Sequence, residues 1–597
     1  MDIFGEIKRI QDTYGLYTRG KTFQNQIKEA LTESLADLFA HHTVAIKGGG
    51  RHTEQLLELI KASGNEKNIS AIFDRKYTEP VQVTIGENTY MGYPDEEMKK
   101  CKADAVIASS FSQRRSIAKE IRKQNDKLLV FDLYDELERK GLILNSLFYR
   151  VVETGYENLV YYRTEYLKRQ DAGSLWNYIV ACIAVCNFID CKKLAQKYIE
   201  NGWEHADQLK KAMDEFEQLF SDIRAKLKAR GQRDIVMLWI DQLEYRELGL
   251  CPFIESESKD SLFLEKSYSI TPFTSATIHA IFRNFKSLES KFYITSYDSC
   301  SPENSAILAN LDKHGYGFVY IGGSEEGSLF RDEEMIVNYT YGSSSVRCMQ
   351  MLQRFLDSEK PMFVMLYANA ETHSPYLSGA LDEAKMIAWP YFLGVTEEMR
   401  VEQIRKSALY WDQQWEWYNS FLSDNVVKMY MSDHGKRYNV MPIYKEATTH
   451  TLNFIKGKGI PAKRIDKLFS LLHYDKLVDA VLTSNYDEDH FCSNYVEIQE
   501  AEIFNDTIIK YYLDNGAEDN TRAFRAIRTQ TELYAKLSTG KQFYYLLPDE
   551  ETDHSQEPEY AERIAELSEL AGDYFWSFDG FEDKLKLYRK KTENHDI

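Results

Sequence analysis

What this sequence lacks narrows its identity first. The longest apolar run lies near Tyr178–Ile189, well short of the roughly 20 residues that a membrane-spanning helix needs. The opening segment, MDIFGEIKRIQDTYG, has no basic stretch leading into an apolar one, so no secretory leader is expected there. Positive charge is not in excess: the formal net charge is −20. That balance argues against a dedicated nucleic-acid binder, which presents a basic face to phosphates. A small anionic substrate stays admissible, because one bound metal ion reverses the sign of a local site. The eight cysteines include no pair at metal-ligand spacing. Cys182, Cys186 and Cys191 fall in an apolar helical run and read as packed free thiols, which suits a reducing cytoplasm. There is no internal repeat and no low-complexity tract.

What is present is core material and alternation. A chain of 597 residues exceeds one hydrophobic core and predicts two to four domains; its 40 Tyr and 31 Phe can fill them. From His42 to about Leu144, TVAIKG, NISAIFD, ADAVIASS and KLLVFDL read as strands. HTEQLLELIKAS and SQRRSIAKEIRKQ read as helices between them. Such alternation predicts βαβ units and a parallel, Rossmann-like sheet. The first strand runs into Gly48-Gly49-Gly50-Arg51-His52-Thr53, a G-x-G-x-x-T variant of the dinucleotide loop. Asp74 ends the second strand, where a ribose-binding acid sits. Gly48, Gly50, Thr53 and Asp74 are therefore candidate cofactor contacts for a nucleotide or nucleotide-sugar. The final glycine is missing, so a turn that serves only helix packing is the competing reading. The turn and its flanking strands resemble the small Rossmann-like modules of some sugar-tailoring enzymes.

Residues 149–230 read as several helices forming a connector, ending in QLKKAMDEFEQLFSDIRAKLKARG. A second α/β region starts at Asp234. IVMLWI, KFYITS, GFVYIG, MFVMLYA and VVKMYMS have the length of buried parallel strands. SVRCMQMLQRFLDS and KSALYWDQQWEWYNSFLS read as helices whose aromatic residues pack in the core.

Three of these runs end in groups that bind metals or move protons. IVMLWI delivers Asp241, VVKMYMS delivers Asp433-His434-Gly435, and MFVMLYANAET delivers His373. Ligands of open α/β sheets collect beyond the carboxyl ends of the strands, so these groups can converge on one site. A lone histidine would read as a core residue; four such groups at equivalent strand ends do not.

At this point WIDQLEYREL, TPFTSATIHAIF, ANAETHSPY and MYMSDHGKRYN, in that order, resemble the motifs of the sulfatase-like branch of the alkaline phosphatase superfamily. The similarity extends over about Ile235 to Leu570 and includes RAIRTQTELYAKLSTGKQFYYLLPDEETDHSQEPEYAERIAEL, which looks like that family's small C-terminal subdomain. The resemblance implies a divalent metal held by Asp241, Thr274, Asp433 and His434. It implies Thr274 as nucleophile, in a context similar to phosphoethanolamine and related transferases, with His373 and His450 facing the transferred group. A threonine hydroxyl is a poor nucleophile near neutral pH and needs a cation or base beside it; carboxylate and imidazole donors suit Zn²⁺ or Mn²⁺. One metal is expected, since the fuller ligand set of a two-zinc site is not found.

Alternatives stand beside this reading. Ser275 could replace Thr274, and His279 reads as a helix-packing residue. Lys436 either contacts an anionic oxygen or is solvated; Arg525 and Arg528 either reach substrate or form surface pairs. Sulfatases proper carry Cys or Ser in a C/S-x-P-x-R context; here the positions are Thr274, Ala276 and Ile278, which disfavours a sulfatase. A non-catalytic binding protein and an NAD-dependent enzyme are the readings from other classes.

The sequence thus predicts an α/β protein: a Rossmann-like domain at 1–148, a helical connector at 149–230, a sulfatase or alkaline-phosphatase-like catalytic domain at 231–488 and a C-terminal α+β subdomain at 489–597. The expected activity is metal-dependent phosphoester hydrolysis or phospho-group transfer, with a sulfatase or phosphonate-ester hydrolase of the same superfamily as the alternative. The expected substrate is a small-molecule or glycan phosphoester in the cytoplasm, with no nucleic-acid partner.

Overall fold

The computed structural model describes every residue except 86–87, 112–113, 143, 145–146, 150–155, 293–297, 324–327, 331–332, 339–342, 369–396, 436–439, 504 and 594–597. The chain forms two compact units. One comprises Met1–Asp12, Lys211–Ala380 and Glu397–Ile597, the other Thr13–Lys210 and Leu381–Thr396. The division at Lys210/Lys211 falls within the helix Ala206–Ala229, inside the segment read as a connector.

The smaller unit holds a six-stranded sheet of β1 (Val44–Lys47), β2 (Ile69–Phe73), β3 (Val81–Ile85), β4 (Asn88–Tyr93), β5 (Ala105–Ala108) and β6 (Leu129–Phe131), in the order β3-β4-β2-β1-β5-β6. All neighbours pair in parallel except β3 with β4. The sheet is therefore mixed. The β3/β4 pair was not expected, and its VQVTI and NTYMGY are short, half-polar runs characteristic of an exposed edge. β1 and β5 are buried along their whole length, as strands covered on both faces should be. The apolar run near Tyr178–Ile189 is broken between the helices Ala172–Ala184 and Phe188–Glu200. No helix among the described residues is long and apolar enough to cross a membrane. None of the eight cysteines is in a disulfide, and burial pushes the Cys186 thiol up to about 12.

The larger unit is built on eight strands: β7 (Ile235–Ile240), β8 (Leu262–Tyr268), β9 (Gly317–Gly323), β10 (Met335–Asn338), β11 (Met362–Ala368), β12 (Val427–Met431), β13 (Asn453–Lys456) and β14 (Lys463–Ser470). Their order is β10-β9-β11-β7-β12-β13-β8-β14. β10 through β12 run parallel; β13 is antiparallel to both its neighbours, so this sheet is mixed as well. KFYITS, expected as a strand, lies mostly on 293–297, outside the described residues. A four-stranded antiparallel sheet follows, β15 (Val496–Glu500), β16 (Phe524–Arg528), β17 (Glu532–Leu537) and β18 (Gln542–Leu546), with the helix Ala561–Ala571 packed on it.

Register is what positions the site. β7 lies between β11 and β12, pairing Ile240 with Ala368 and Trp239 with Met431. The carboxyl ends of these three buried strands therefore stand side by side. Asp241 leaves β7 directly and Asp433 leaves β12 two residues after Met431.

Candidate active site

Asp241, Asp433 and His434 come together at these strand ends, each offering one donor atom within 4.8 Å of the others. All three are almost wholly buried. Asp433 Oδ1 accepts the backbone N–H groups of Gln242 (3.0 Å) and His434 (2.9 Å). Gln242 adopts φ +58°, left-handed backbone that a non-glycine residue rarely holds, and this turn is what aims its N–H at Asp433. Asp433 Oδ2 is buried, has no hydrogen-bond partner among the described residues and lies 3.5 Å from His434 Nε2. A buried carboxylate oxygen left without a donor is costly unless a cation meets it. The donor set of two carboxylates and an imidazole therefore fits a divalent metal.

His434 is oriented by the chain that follows it. Its Nδ1 lies 2.7 Å from the Gly435 carbonyl, an acceptor, which assigns the proton to Nδ1 and leaves the Nε2 lone pair facing the cluster. Gly435 has no room for a side chain: a Cβ would lie 2.3 Å from the Ala447 carbonyl oxygen. Its N–H donates to Thr448 O at 2.6 Å, so the 446–449 turn holds this glycine in place.

Thr274 is the first residue of the helix Thr274–Arg283, after the extended Phe273. The apolar face Ala276, Ile278, Ala280, Ile281 and Phe282 is buried, which fixes the helix and directs its N-terminus toward the cluster. Thr274 Oγ1 lies 3.1 Å from His434 Nε2 and 3.5 Å from Asp241 Oδ1. First-turn N–H groups have no intrahelical acceptor, and the helix dipole places partial positive charge there. Anionic oxygens beside Thr274 would meet both. Ser275 is exposed, and the contacts to the cluster come from Thr274. His279 packs against Phe285 and Phe292, its burial lowering it to about 4.

The sequence missed Tyr367. It sits in β11 within a run that reads as core, yet its hydroxyl donates to Asp241 Oδ2. Arg347, itself buried, donates from Nη1 to the Tyr367 carbonyl at 2.6 Å. Losing such an outer partner of a metal ligand typically costs about 10–100-fold in affinity. Tyr367→Phe should therefore weaken Mn²⁺ or Zn²⁺ binding by about that factor while leaving the fold intact; titration calorimetry measures it, and an unchanged Kd would remove Tyr367 from the site.

His450 is placed otherwise than expected. Its Nδ1 lies 2.9 Å from Glu446 Oε1 and its Nε2 2.8 Å from the Glu265 carbonyl oxygen. Both nitrogens are engaged away from Thr274, so the expected role beside the transferred group is withdrawn. Arg528, read as a surface or substrate arginine, is buried and bridges Glu446 (2.9 Å) and Glu550 (2.5 Å). Arg525 is likewise buried, paired with Glu289 and Glu497. His373 and Lys436 lie outside the described residues.

The hydrogen bond from His450, with Arg528 adding to it, lowers the Glu446 carboxyl to about 2. A depressed carboxyl stabilises the fold above its unfolded value of 4.5, and that contribution is lost as pH falls toward 2. Glu446→Gln should flatten the loss of stability over that interval; urea midpoints at pH 6 and pH 3 that fall equally in both proteins would contradict it.

In the smaller unit Thr53 engages Gly48 and Gly50, while Asp74 engages Gly49 and Lys76. Asp74 Oδ2 accepts Gly49 N–H (2.5 Å) and Oδ1 accepts Lys76 N–H (2.9 Å). Lys76 Nζ donates to Gly49 O at 2.5 Å. Thr53 Oγ1 lies 2.7 Å from Gly48 O, whose residue holds φ +112°, while Gly50 caps the helix Arg51–Ala62.

By sequence, the chain matches no family model and no curated protein. Among solved structures it is similar to a 2-O GAG sulfatase, at 12% identity and TM-score 0.43, over 60% of this chain and 93% of that one. A protein solved with its substrate D-glucosamine-2-N,6-O-disulfate gives 12% and 0.43, over 60% and 98%. The phosphonate monoester hydrolase of Silicibacter pomeroyi gives 12% and 0.42, over 57% and 94%. Scores of this size do not by themselves establish a shared fold.

Proposed function

We propose that this chain is a divalent-metal-dependent phosphoester hydrolase or phospho-group transferase that works through a phosphothreonine at Thr274. The observation that carries this reading is the Thr274 hydroxyl at a helix N-terminus, 3.1 Å from His434 Nε2 and 3.5 Å from Asp241. Beside it lies Asp433 Oδ2, buried and without a hydrogen-bond donor among the described residues. Asp241, Asp433, His434 and Thr274 would hold the cation, Zn²⁺ or Mn²⁺ by donor type. When bound, it supplies Lewis-acid neutralisation of phosphoryl charge and eases loss of the threonine proton.

The protein's own groups do the rest. The buried Ala276, Ile278 and Ile281 fix the helix Thr274–Arg283 so that its first residue presents the hydroxyl to the cluster, and its first-turn N–H groups receive the phosphoryl oxygens. Thr274 Oγ1 bonds to phosphorus as the bond to the alcohol breaks. The alcohol departs with the bonding pair and gains the proton that Thr274 gives up. Water, or an acceptor hydroxyl, then cleaves phosphothreonine and restores Thr274. Sulfate-ester cleavage is the weaker reading, because Ile278, where a sulfatase context places arginine, is part of the hydrophobic core. A phospho-substituted sugar or glycan precursor is the substrate class favoured by the resemblance of the N-terminal module. No nucleotide is assigned to that module, since Asp74 already closes the Gly49 loop.

The test is turnover of p-nitrophenyl phosphate, bis-p-nitrophenyl phosphate and p-nitrophenyl sulfate with added Zn²⁺ or Mn²⁺. Metal-dependent cleavage of either phosphoester supports the proposal. Cleavage of the sulfate alone overturns it.

A further inference from the structure

His450 lies in a stack that the reaction as drawn does not use. Its ring is parallel to Tyr245 on one face (centroids 4.2 Å apart, 13°) and to Tyr268 on the other (4.8 Å, 22°). Arg528 lies over Tyr268, its guanidinium carbon 4.4 Å from the ring centroid. The order is Tyr245, His450, Tyr268, Arg528. In the ring plane, Glu446 and the Glu265 carbonyl each face one nitrogen, and both are acceptors. Glu446 is held in turn by Arg528 Nη2 at 2.9 Å. The imidazole is therefore fixed in tilt by two aromatic faces, and each of its nitrogens lies within hydrogen-bond distance of an oxygen in the ring plane.

The layers come from three segments that carry the candidate site. Tyr245 belongs to the turn after β7, four residues beyond Asp241. Tyr268 ends β8, whose continuation leads through Ser269 and Thr271 to Thr274; it faces His450 across an isolated backbone bridge. His450 ends the turn whose Thr448 carbonyl holds Gly435 against His434.

We infer that His450 is a positioning residue: as the central layer of the Tyr245–His450–Tyr268–Arg528 stack, it fixes the segments bearing Asp241, Thr274 and His434 in metal-binding register. The inference rests on the proposed function in taking those three as cation ligands. Stacking supplies area and planarity, and the oxygens facing the two nitrogens oppose rotation of the ring. Loss of the ring frees the turn that seats Gly435, so the effect should reach the cation rather than the substrate.

The experiment compares full-length wild type with His450→Ala and His450→Phe by Mn²⁺ titration calorimetry, thermal melting and the pH dependence of kcat. His450→Ala is expected to weaken Mn²⁺ binding by about 10–100-fold, the range for outer partners of metal ligands. The shape of the pH profile at saturating Mn²⁺ should be retained. His450→Phe keeps the stack and should recover part of the lost affinity. An unchanged Kd in a folded His450→Ala protein overturns the inference, as does loss of one limb of the pH profile at unchanged Kd, which would make His450 a proton donor. If wild type itself binds no cation, the proposed function fails and takes this inference with it; a binding wild type with an equally binding His450→Ala defeats the inference alone.

Discussion

Thr274→Ala should lower kcat for the phosphoester by at least about 10³-fold, because it removes the hydroxyl that would form the covalent intermediate. The folded state should tolerate the change: Thr274 is only half-buried and its hydroxyl contacts are with the site. Cation affinity should fall far less than turnover, since both carboxylates and the imidazole remain. Thr274→Ser should retain turnover within about tenfold, because it preserves the hydroxyl at the helix N-terminus and removes only a methyl group. Steady-state kinetics with calorimetric Mn²⁺ titration separates the two effects. Equal loss of binding and turnover in Thr274→Ala would make the threonine a ligand and not the nucleophile.

The second large effect is on Asp433→Asn, and it has opposite signs with and without metal. Asn retains an oxygen for the N–H groups of Gln242 and His434, so the local backbone can stay in place. It replaces one of two buried carboxyl groups whose donor atoms lie within 4.8 Å; two unit charges that close repel by about 3.5 kcal/mol at an effective dielectric near 20. The metal-free variant should therefore melt at or above the wild-type temperature. Adding Mn²⁺ at 100 times its wild-type Kd should stabilise the wild type by about 2.7 kcal/mol and leave the variant unmoved. Calorimetric melts with and without Mn²⁺ measure this. A variant that loses stability without metal and still shifts with it would show that Asp433 is structural.

The parts of the site that could be read from the sequence are those fixed by strand topology. Asp241 and Asp433-His434 follow uninterrupted apolar runs, and β7 and β12 are adjacent, so their ends meet. Thr274 is legible only through the resemblance of TPFTSATIHAIF to the sulfatase-like motifs, and its place at a helix N-terminus comes from the structure. Tyr367 is not, because a tyrosine inside MFVMLYA is indistinguishable from core until pairing with β7 places it beside Asp241. His450 shows the opposite error: its position in the chain suggested the site, but ring orientation depends on Tyr245, Tyr268 and the Glu265 carbonyl, distant in sequence. β8 and β14 escaped for a simpler reason. LFLEKSY and KRIDKLFS mix polar and apolar residues, and the register between them shifts at Ile465/Leu468, which breaks the alternation that marks a strand.

The chemistry assigned to Thr274 is tested most directly by acid-quenching the enzyme during turnover of a phosphoester with Mn²⁺ and mapping the modified peptide by mass spectrometry. A single phosphoryl group on Thr274, absent from Thr274→Ala, is expected. Turnover without any phosphorylated residue, or with the group on Ser275, would contradict it.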